Sequence, residues 1–428
     1  MRIIPYISLF SGGGVGDTGY RDSGLSPIIL NELETDRAQI LQVNFPDSKV
    51  IAGDIINNTS LIEKEAKAIL NQINEQELFM ISATPPCQGM SKNGIGSILK
   101  AIKDGKRTEI DDRNYLFKYA LALTELLKPK FFVWENVDRM FNTYILDDNS
   151  NTVHFVYYFK MKLLEMGYYG DFRVHNMTEF GVPQNRRRAI GIFIRGDLIQ
   201  SDIFDTDNLF PKKTHSSKPD SVYKPYITLK DVIGKLPSLD SVNKEKACSD
   251  FHPLHKVPVS RKELYYWIDN TKEGQNAFNN NTCSKCGEIS ATQSVYCDYC
   301  NKLLPKPTVL KNGEHRLIKG FVSTYKRMKY NEPTPTITTR SAYACSDQNL
   351  HPTQNRVLSI YEVALLQGVD PKEFKWGPIK KIKNGKEIIQ DIANDTLLRD
   401  ILGEPVSPIF SRLLGNHLVS LAKELNII

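Results

Sequence analysis

The sequence contains no apolar run long enough to cross a membrane, since a spanning helix needs about 20 consecutive apolar residues. Residues 1–10 mix apolar and polar side chains and then pass into glycines, without the apolar core and small-residue cleavage site of a secretory leader. These absences argue against a membrane protein and against export. We therefore expect a soluble, cytoplasmic protein.

Cysteine is also scarce, with 7 among 428 residues. Because that number is odd and the chain is long, a framework of disulfides is not expected. Metal binding and catalysis explain the cysteines better. They are Cys87, Cys248, Cys283, Cys286, Cys297, Cys300 and Cys345.

The net charge is weak, at +6, and says little about partners by itself. Its distribution is uneven, because the whole positive excess lies in residues 196–330. A cationic middle segment is compatible with phosphate binding, but an ordinary solvated surface explains it equally well. The charge therefore permits a nucleic-acid partner without identifying one.

Short apolar runs that end in glycine or polar residues recur along the first half of the chain. They predict buried strands at residues 3–10, 27–30, 49–52, 78–83, 131–134, 171–175 and 189–194, and residues 115–127 have helical apolar spacing. Alternating strands and helices indicate an α/β fold with a doubly wound, mostly parallel, Rossmann-like sheet. Such sheets bind ligands beyond the carboxyl ends of their strands.

The pattern changes after residue 195. Residues 196–325 are rich in Lys, Pro, Ser and Asn with few periodic runs, whereas helical patterns return at 361–366 and 412–425. We expect a catalytic domain formed by residues 1–195 and 326–428 and a second, smaller domain formed by residues 196–325. The basic run at 380–386 is interpreted as a solvated loop.

The first predicted strand enters a glycine-rich turn, Phe10-Ser11-Gly12-Gly13-Gly14, in which the backbone can approach a ligand closely. Glu32 follows the second strand, where an acid binds ribose hydroxyls in dinucleotide folds, and Asp54 follows the third, where it can bind an adenine amino group. The full G-x-G-x-x-G spacing and a phosphate-binding lysine are both missing. This favours an adenosyl ligand without a pyrophosphate, such as S-adenosylmethionine, although an ordinary strand-to-helix turn is the competing interpretation.

Reactive side chains follow two later strands. Cys87 comes after Pro85-Pro86, which restrict the backbone at the sheet edge, and Glu135-Asn136 ends the neighbouring strand. Gln184, Arg186 and Arg188 alternate before another strand, so they are expected to share one cationic face. The competing interpretations are an inert core cysteine, a helix-capping carboxylate and a basic edge that prevents strand pairing.

These segments, in this order, resemble the cytosine-5 DNA methyltransferase family along nearly the whole chain. The matching strings are LFSGGGVGDTGY, PPCQGMS, RNYLF, ENV, QNRRR, PTPTITT with Thr336, YEVALLQG and LLGNHLV. The chain departs from the usual pattern at Ser8, where the family has an acid, and at Val15, where it has a glycine. His417 and Leu418 depart similarly in the closing motif.

The resemblance implies a mechanism and a set of site residues. Cys87 would attack carbon 6 of a flipped-out cytosine in double-stranded DNA, Glu135 would bind the exocyclic amine and ring nitrogen 3, Arg188 the carbonyl oxygen, and Arg186 a nearby phosphate or the Cys87 loop. S-adenosylmethionine would donate the methyl group. Its implied contacts are Phe10, Ser11, Gly12, Gly14, Glu32, Asp54, Pro85, Leu116 and Asn416. The family further implies a monomer, a recognition domain at residues 196–325 and, in bacteria, a companion restriction endonuclease.

Four cysteines lie together in the middle segment. Cys283-x-x-Cys286 and Cys297-x-x-Cys300 are ten residues apart, with Gly287 after the first pair. Four thiolates at this spacing predict a structural zinc ribbon at about residues 280–305. Such a closed site would stabilise the small domain and take no part in methyl transfer.

Two other functions compete with DNA methylation. An RNA-acting branch of the same family methylates tRNA, and a methyltransferase that has lost its activity can remain as a DNA-binding regulator. The long middle domain favours duplex DNA, and intact Cys87, Glu135, Arg186 and Arg188 argue against a loss of activity. A substrate assay separates the three.

Overall fold

The protein is described by a computed structural model that covers residues 3–86, 115–199, 204–320, 323–383 and 386–428. Its centre is a sheet of seven strands within these residues. The strands are β1 (Pro5–Leu9), β2 (Ser26–Glu32), β3 (Lys49–Ala52), β4 (Met80–Ala83), β5 (Phe131–Val137), β6 (Tyr168–Asn176) and β7 (Arg187–Arg195). All seven strands of the sequence prediction are present, with ends that differ by a few residues.

The strand order is β3-β2-β1-β4-β5-β7-β6. The first five strands pair in parallel, while β7 runs antiparallel to both β5 and β6. Parallel strands that are covered on both faces read as continuous apolar runs, which is how these strands appear in the sequence. The predicted α/β fold with a mostly parallel sheet is confirmed, and β7 makes the sheet mixed.

Helices cover both faces of this sheet. The α-helices of the described residues are α1 (Val15–Asp22), α2 (Thr35–Asn44), α3 (Ile55–Gln72), α4 (Phe117–Leu127), α5 (Phe155–Glu165), α6 (Leu229–Ile233), α7 (Lys262–Asp269), α8 (Ile360–Gln367), α9 (Asp395–Gly403) and α10 (Pro408–Glu424). Helices α3, α4 and α5 share one core with Ile7 and Trp134, and α10 packs against the other face with Tyr6 and Val133. The predicted double winding is therefore present. No helix of the described residues is long and apolar enough to span a membrane.

Alternate apolar side chains of one strand enter different cores. Ile7 and Leu9 of β1 belong to the core of α3–α5, whereas Tyr6 belongs to the core of α10. This follows from the two-residue period of a strand. The same alternation places Ser8, Ser82 and Glu135 on the α1 and α10 side, near the carboxyl ends of their strands.

The middle of the chain contributes short elements. Besides α6 and α7, it contains a hairpin of Thr308–Lys311 with Glu314–Leu317. Leu229, Ile233 and Leu254 pack in the same core as α8 and α9, so this segment shares buried surface with the C-terminal part of the chain. Two-residue ladders join Gln184–Asn185 to Thr334–Pro335 and His215–Ser216 to Lys224–Pro225, and Tyr144–Leu146 pairs with Thr152–His154.

One sequence expectation is wrong. The basic run at 380–386 lies in an antiparallel hairpin of Ile379–Lys383 and Lys386–Gln390, not in a loop. The hairpin docks on α2, where the Gln39 amide bonds both the N–H and the carbonyl of Lys380. Of the described residues of the hairpin, only Ile379 at its base is fully buried, so neither strand has the apolar alternation that predicts strands.

Candidate active site

The site lies where β1, β2, β4 and β5 end and β7 begins. The glycine turn leaves β1 at Phe10, whose φ is +61°, and continues to Gly14, whose φ of +79° places it in the left-handed region at the start of α1. Gly14 requires glycine for a second reason, because a Cβ there would lie 2.6 Å from Phe45. Gly12 (φ +57°) instead faces open space, with nothing within 4 Å of a Cβ. The turn is therefore open to a ligand at Gly12.

Glu32 at the end of β2 contacts this turn. Its Oε2 accepts the Gly12 N–H at 2.8 Å, and its Oε1 accepts the Glu34 N–H at 3.0 Å. Burial raises the pKa of Glu32, while these backbone donors and Arg37 oppose the rise. Each carboxylate oxygen has a further lone pair, so Glu32 retains acceptors for the hydroxyls of a ribose. The turn and the predicted ribose acid thus form one unit.

The other predicted cofactor residues have structural contacts of their own. Ser11 is buried and donates its hydroxyl to the Ser8 carbonyl at 3.1 Å. Phe10 and Leu116 pack against the same hydrophobic core. Asp54 follows β3 as expected, and its carboxylate caps α3 by accepting the Ile56 N–H at 3.0 Å.

The segment that leads to the expected nucleophile is anchored on both sides. The Thr84 hydroxyl donates to the Phe10 carbonyl at 3.1 Å, and the Asn136 amide donates to the carbonyl of buried Pro85 at 3.2 Å. The backbone after β4 therefore passes between the glycine turn and the end of β5. Cys87 itself lies outside the described residues.

Glu135 and Arg188 form an ion pair at this edge. Ile190 of β7 is the register partner of Glu135, which makes Arg188 its diagonal neighbour on the same face. Arg188 Nε lies 2.8 Å from Glu135 Oε1, with both side chains largely buried. Burial raises the pKa of Glu135, and the charges of Arg188 and Arg186 act in the opposite direction. A carboxyl group is thereby positioned next to a guanidinium, in a site with little water.

Arg186 differs from the expectation of a cationic face. Its side chain is only 1% exposed and donates to the carbonyls of Ile337 (3.0 Å), Gly403 (2.9 Å) and Glu404 (2.7 Å). Gln184 is also buried, and its amide oxygen accepts the Ile337 N–H at 3.0 Å. Gln184 and Arg186 therefore face C-terminal backbone and not solvent. Only Arg188 of the three approaches the crevice.

Asn416 is the predicted cofactor residue that the structure does not bring to the turn. It is exposed on α10, next to Gly415, whose Cβ would meet Ser23 at the far end of α1. Residues 401–406 cover the turn instead. Ile401 lies 2.9 Å from a Cβ placed on Gly13, and the Val406 carbonyl lies 3.5 Å from one placed on Gly16.

Sequence reasoning missed this covering segment and its ion pair. Arg37 on α2 binds Glu404 through two contacts of 2.6 and 3.2 Å, and both residues act electrostatically on Glu32. A glycine before a Glu-Pro pair at 403–405 indicates a turn and nothing about its location. No spacing signal was available to connect it to α2.

The four-cysteine cluster forms two matching knuckles. Gly287 and Asn301 both have positive φ, +79° and +57°, and donate to the carbonyls of Cys283 and Cys297, four residues earlier. The sulfur atoms of Cys283 and Cys300 are 3.5 Å apart, those of Cys286 and Cys297 are 3.6 Å apart, and all four lie within 4.8 Å of one another. Asn301 was not predicted, because the sequence shows glycine only at the first knuckle.

The comparisons agree with the fold and with the motifs. The family model for C-5 cytosine-specific DNA methylase matches residues 4–393. The chain is 28% identical over 416 residues to the type II methyltransferase M1.HgaI of Avibacterium volantium, covering 94% of each chain. It is 25% identical to M1.HphI of Haemophilus parahaemolyticus, covering 98% of this chain and 87% of the relative.

Solved structures show the same fold. A putative DNA modification methyltransferase encoded within a prophage of E. coli superposes with a TM-score of 0.58 at 19% identity, covering 98% of this chain and 99% of that one. A mutant DNMT2 of Spodoptera frugiperda gives 0.53 at 15% identity, covering 97% and 99%. The resemblance drawn from the motifs is confirmed: the chain belongs to the C-5 cytosine-specific DNA methylase family, and it is an enzyme of that family.

Proposed function

We propose that the protein transfers a methyl group from S-adenosylmethionine to carbon 5 of a cytosine that is rotated out of a specific duplex DNA sequence. The observation that carries this proposal is the buried Glu135–Arg188 pair, positioned at the sheet edge beside the segment that leads to Cys87. The glycine turn and Glu32 lie at the same edge. A base site and an adenosyl site therefore adjoin.

Each residue has one chemical task. The Cys87 thiolate adds to carbon 6 of the ring, which makes carbon 5 nucleophilic, and is expelled when the proton on carbon 5 leaves. Glu135 binds ring nitrogen 3 and the exocyclic amine, and its raised pKa favours the protonated form that can donate to nitrogen 3. Arg188 donates to the carbonyl oxygen of the base. When bound, S-adenosylmethionine supplies the electrophilic methyl group.

The burial of Glu135 supports extrusion of the base. Its side chain is 9% exposed, so its carboxyl group cannot reach the edge of a base that remains stacked in a duplex. Enzymes that modify such bases rotate the nucleotide out at a cost of a few kcal/mol, which their contacts offset. We therefore assign base flipping to this enzyme.

The residues present fit the cofactor. Gly12 leaves space that a side chain would occupy, Glu32 retains free lone pairs, and Phe10 and Leu116 supply apolar surface. Ser11, Gly14, Asp54 and Pro85 complete the proposed contacts. Asn416 on α10 makes no described contact with the turn, so its proposed role rests on the family motif alone.

We also assign target recognition to residues 196–325 and a structural zinc ion to Cys283, Cys286, Cys297 and Cys300. Zinc bonded to four thiolates at about 2.3 Å in a tetrahedron separates the sulfur atoms by just under 4 Å, which agrees with the two closest pairs. The Tyr266 hydroxyl of α7 bonds both Ser284 and the Leu303 carbonyl, so the knuckles are joined to the rest of the segment. A filled thiolate site leaves no position for substrate, so its role is stability.

The relatives extend the proposal to biology. Because M1.HgaI and M1.HphI are named type II methyltransferases, we propose a restriction–modification role, with a companion endonuclease that need not bind this protein. We further propose that the enzyme acts in the cytoplasm as a monomer.

The deciding experiment measures transfer of labelled methyl groups from S-adenosylmethionine to unmethylated DNA and, in parallel, to tRNA. We expect labelled DNA with the wild type, none with Cys87→Ala, and a loss of at least 100-fold with Glu135→Gln, the range of general acid catalysis. Label on tRNA alone would transfer the enzyme to the RNA-acting branch. DNA binding without label on either substrate would favour a regulator.

Zinc is tested separately on protein purified without chelator. We expect one zinc per chain by atomic absorption, and a lower melting temperature for Cys286→Ser than for Cys248→Ser, a matched change at an exposed cysteine outside the cluster. Wild-type protein that contains no zinc, together with equal melting temperatures of Cys286→Ser and Cys248→Ser, would rule the zinc ribbon out.

A further inference from the structure

The buried acid Asp17 is the feature of the cofactor side that the proposed mechanism does not use. It is the third residue of α1 and is 4% exposed, whereas Arg21 and Asp22 on the same helix are about half exposed. Its carboxylate points at β1, where it accepts hydrogen bonds from the hydroxyls of Tyr6 (3.1 Å) and Ser8. Burying a carboxyl group costs free energy unless the group is hydrogen-bonded, and these bonds offset part of that cost for Asp17.

Those bonds continue into the glycine turn. The Ser8 carbonyl accepts the hydroxyl of Ser11, and the next residue, Gly12, donates its N–H to Glu32. Two main-chain bonds strengthen the same route, since Gly14 N–H donates to the Ser11 carbonyl and Ser11 N–H donates to the Asn31 carbonyl. A path of hydrogen bonds thus connects Asp17, through Ser8 and Ser11, to Glu32, the predicted ribose-binding acid.

The first turn of α1 lacks a side-chain cap, so a carboxylate there stabilises it. Its N-cap is Gly14, which offers no side chain to accept the free N–H groups of the first turn. A carboxylate in the first turn stabilises the positive end of the helix. Burial raises the pKa of Asp17 to about 7 although both hydroxyls oppose the rise. Burial therefore disfavours the charged form of the carboxyl group, while its hydrogen bonds to the two hydroxyls favour that form.

We propose that Asp17 is a positioning residue for the cofactor: through Ser8 and Ser11 it fixes the glycine turn in the conformation that binds the adenosyl group. The inference rests on the proposed cofactor. It also bears on position 8, where the resemblance to the family implies an acid in place of Ser8. The Ser8 hydroxyl touches the Asp17 carboxylate, so a carboxylate borne by residue 8 would occupy the same place, and here the acid is carried by the helix instead of the strand.

The test is a swap of the two side chains in the full-length protein. S-adenosylmethionine is titrated by calorimetry into the wild type, Asp17→Ser, Ser8→Asp and the double variant, with Asp22→Ser as the matched exposed control. We expect Asp17→Ser to bind about ten-fold more weakly, because a hydrogen-bonded charged acceptor is lost. Ser8→Asp places two carboxylates together and is expected to bind worst. The double variant should return to within about three-fold of the wild type, as expected for directly coupled residues.

Kinetics separate positioning from general damage. The KM for S-adenosylmethionine should rise in Asp17→Ser while kcat and DNA affinity stay at the wild-type values, because Asp17 touches neither base nor DNA. Asp17→Ser binding as tightly as the wild type, or a folded double variant binding no better than Asp17→Ser, would overturn the inference. If Asp17→Ser does not fold, recovery of folding and affinity in the double variant still supports it, and an unfolded double variant overturns it. A wild type that binds no S-adenosylmethionine would refute the proposed cofactor instead.

Discussion

Replacing Arg186 by methionine tests whether this arginine is a structural anchor or a DNA contact. Its guanidinium donates to three carbonyls, those of Ile337, Gly403 and Glu404, at 2.7–3.0 Å. The side chain is 1% exposed and its bonds to Ile337 and Gly403 are buried, so water cannot replace the donors at these two carbonyls. Leaving a buried polar group unsatisfied costs roughly 1–3 kcal/mol. Two such carbonyls, in the middle of that range, give a loss of about 3–5 kcal/mol in the free energy of unfolding.

Arg187→Met is the matched control, since Arg187 is 62% exposed and makes one ion pair, with Asp138 at 3.0 Å. Exposed pairs contribute about 0–1 kcal/mol, so this variant should stay near the wild type. Urea unfolding followed by tryptophan fluorescence reports the difference, because Trp134, Trp267 and Trp376 are all buried. A total stability of about 5–15 kcal/mol leaves Arg186→Met folded but visibly weakened.

The competing role predicts the opposite pattern. If Arg186 neutralised a phosphate, its loss would leave the urea midpoint unchanged and would reduce by about one the slope of the logarithm of DNA affinity against that of salt concentration. Equal stability of Arg186→Met and Arg187→Met would therefore refute the anchoring role.

Three further outcomes follow from packing and charge. Gly19→Ala should lower the free energy of unfolding by about 1–3 kcal/mol, because its Cβ would lie 2.2 Å from the Pro408 carbonyl. In the control Gly16→Ala, the Cβ meets nothing closer than 3.5 Å. Equal melting temperatures of the two variants in thermal unfolding would contradict the close packing of α1 on α10. Burial alone would raise the pKa of Glu362, but the Arg356 ion pair at 2.7 Å lowers it to about 2. Because the folded pKa lies below the ordinary 4.5, the ion pair stabilises the fold by on the order of 3 kcal/mol above pH 4.5, and this stabilisation is lost as the pH falls toward 2. The urea midpoint of Glu362→Gln should therefore change less between pH 4.5 and pH 2 than that of the exposed control Glu424→Gln. Arg188→Ala should lower methyl transfer far more than Arg187→Ala, with unchanged S-adenosylmethionine affinity, and similar rates for both would contradict the base contact.

The parts of the fold that sequence could predict are those in which local pattern and burial coincide. Strand β3 was bounded correctly at Lys49–Ala52, and β5 was located by its apolar run. The positions of Glu32 and Glu135 near strand ends could be predicted from the sequence, and they are candidate site residues because ligands of a parallel sheet bind at the carboxyl ends of its strands, a rule that needs no knowledge of side-chain contacts.

Long-range partners decided what sequence could not predict. Arg186 reads as a surface cation until Gly403, 217 residues later, supplies its acceptor. The hairpin strands Ile379–Lys383 and Lys386–Gln390 dock on α2 through contacts between Gln39 and Lys380, which are far apart in sequence. Asn301 adopts a positive φ like that of Gly287, and this similarity of backbone conformation is seen only in the structure. Each of these depends on a contact whose partner carries no local signal.

The order in which the chain emerges during synthesis gives the arrangement around α1 a consequence for chains that end early. All seven strands are complete by Arg195, but the Ser411 hydroxyl that bonds the Gly16 carbonyl at 2.6 Å comes 395 residues after it. Residues 401–406, which cover the glycine turn, are equally late. A chain that stops before α10 therefore lacks both the residues that cover the glycine turn and the helix that buries one face of the sheet.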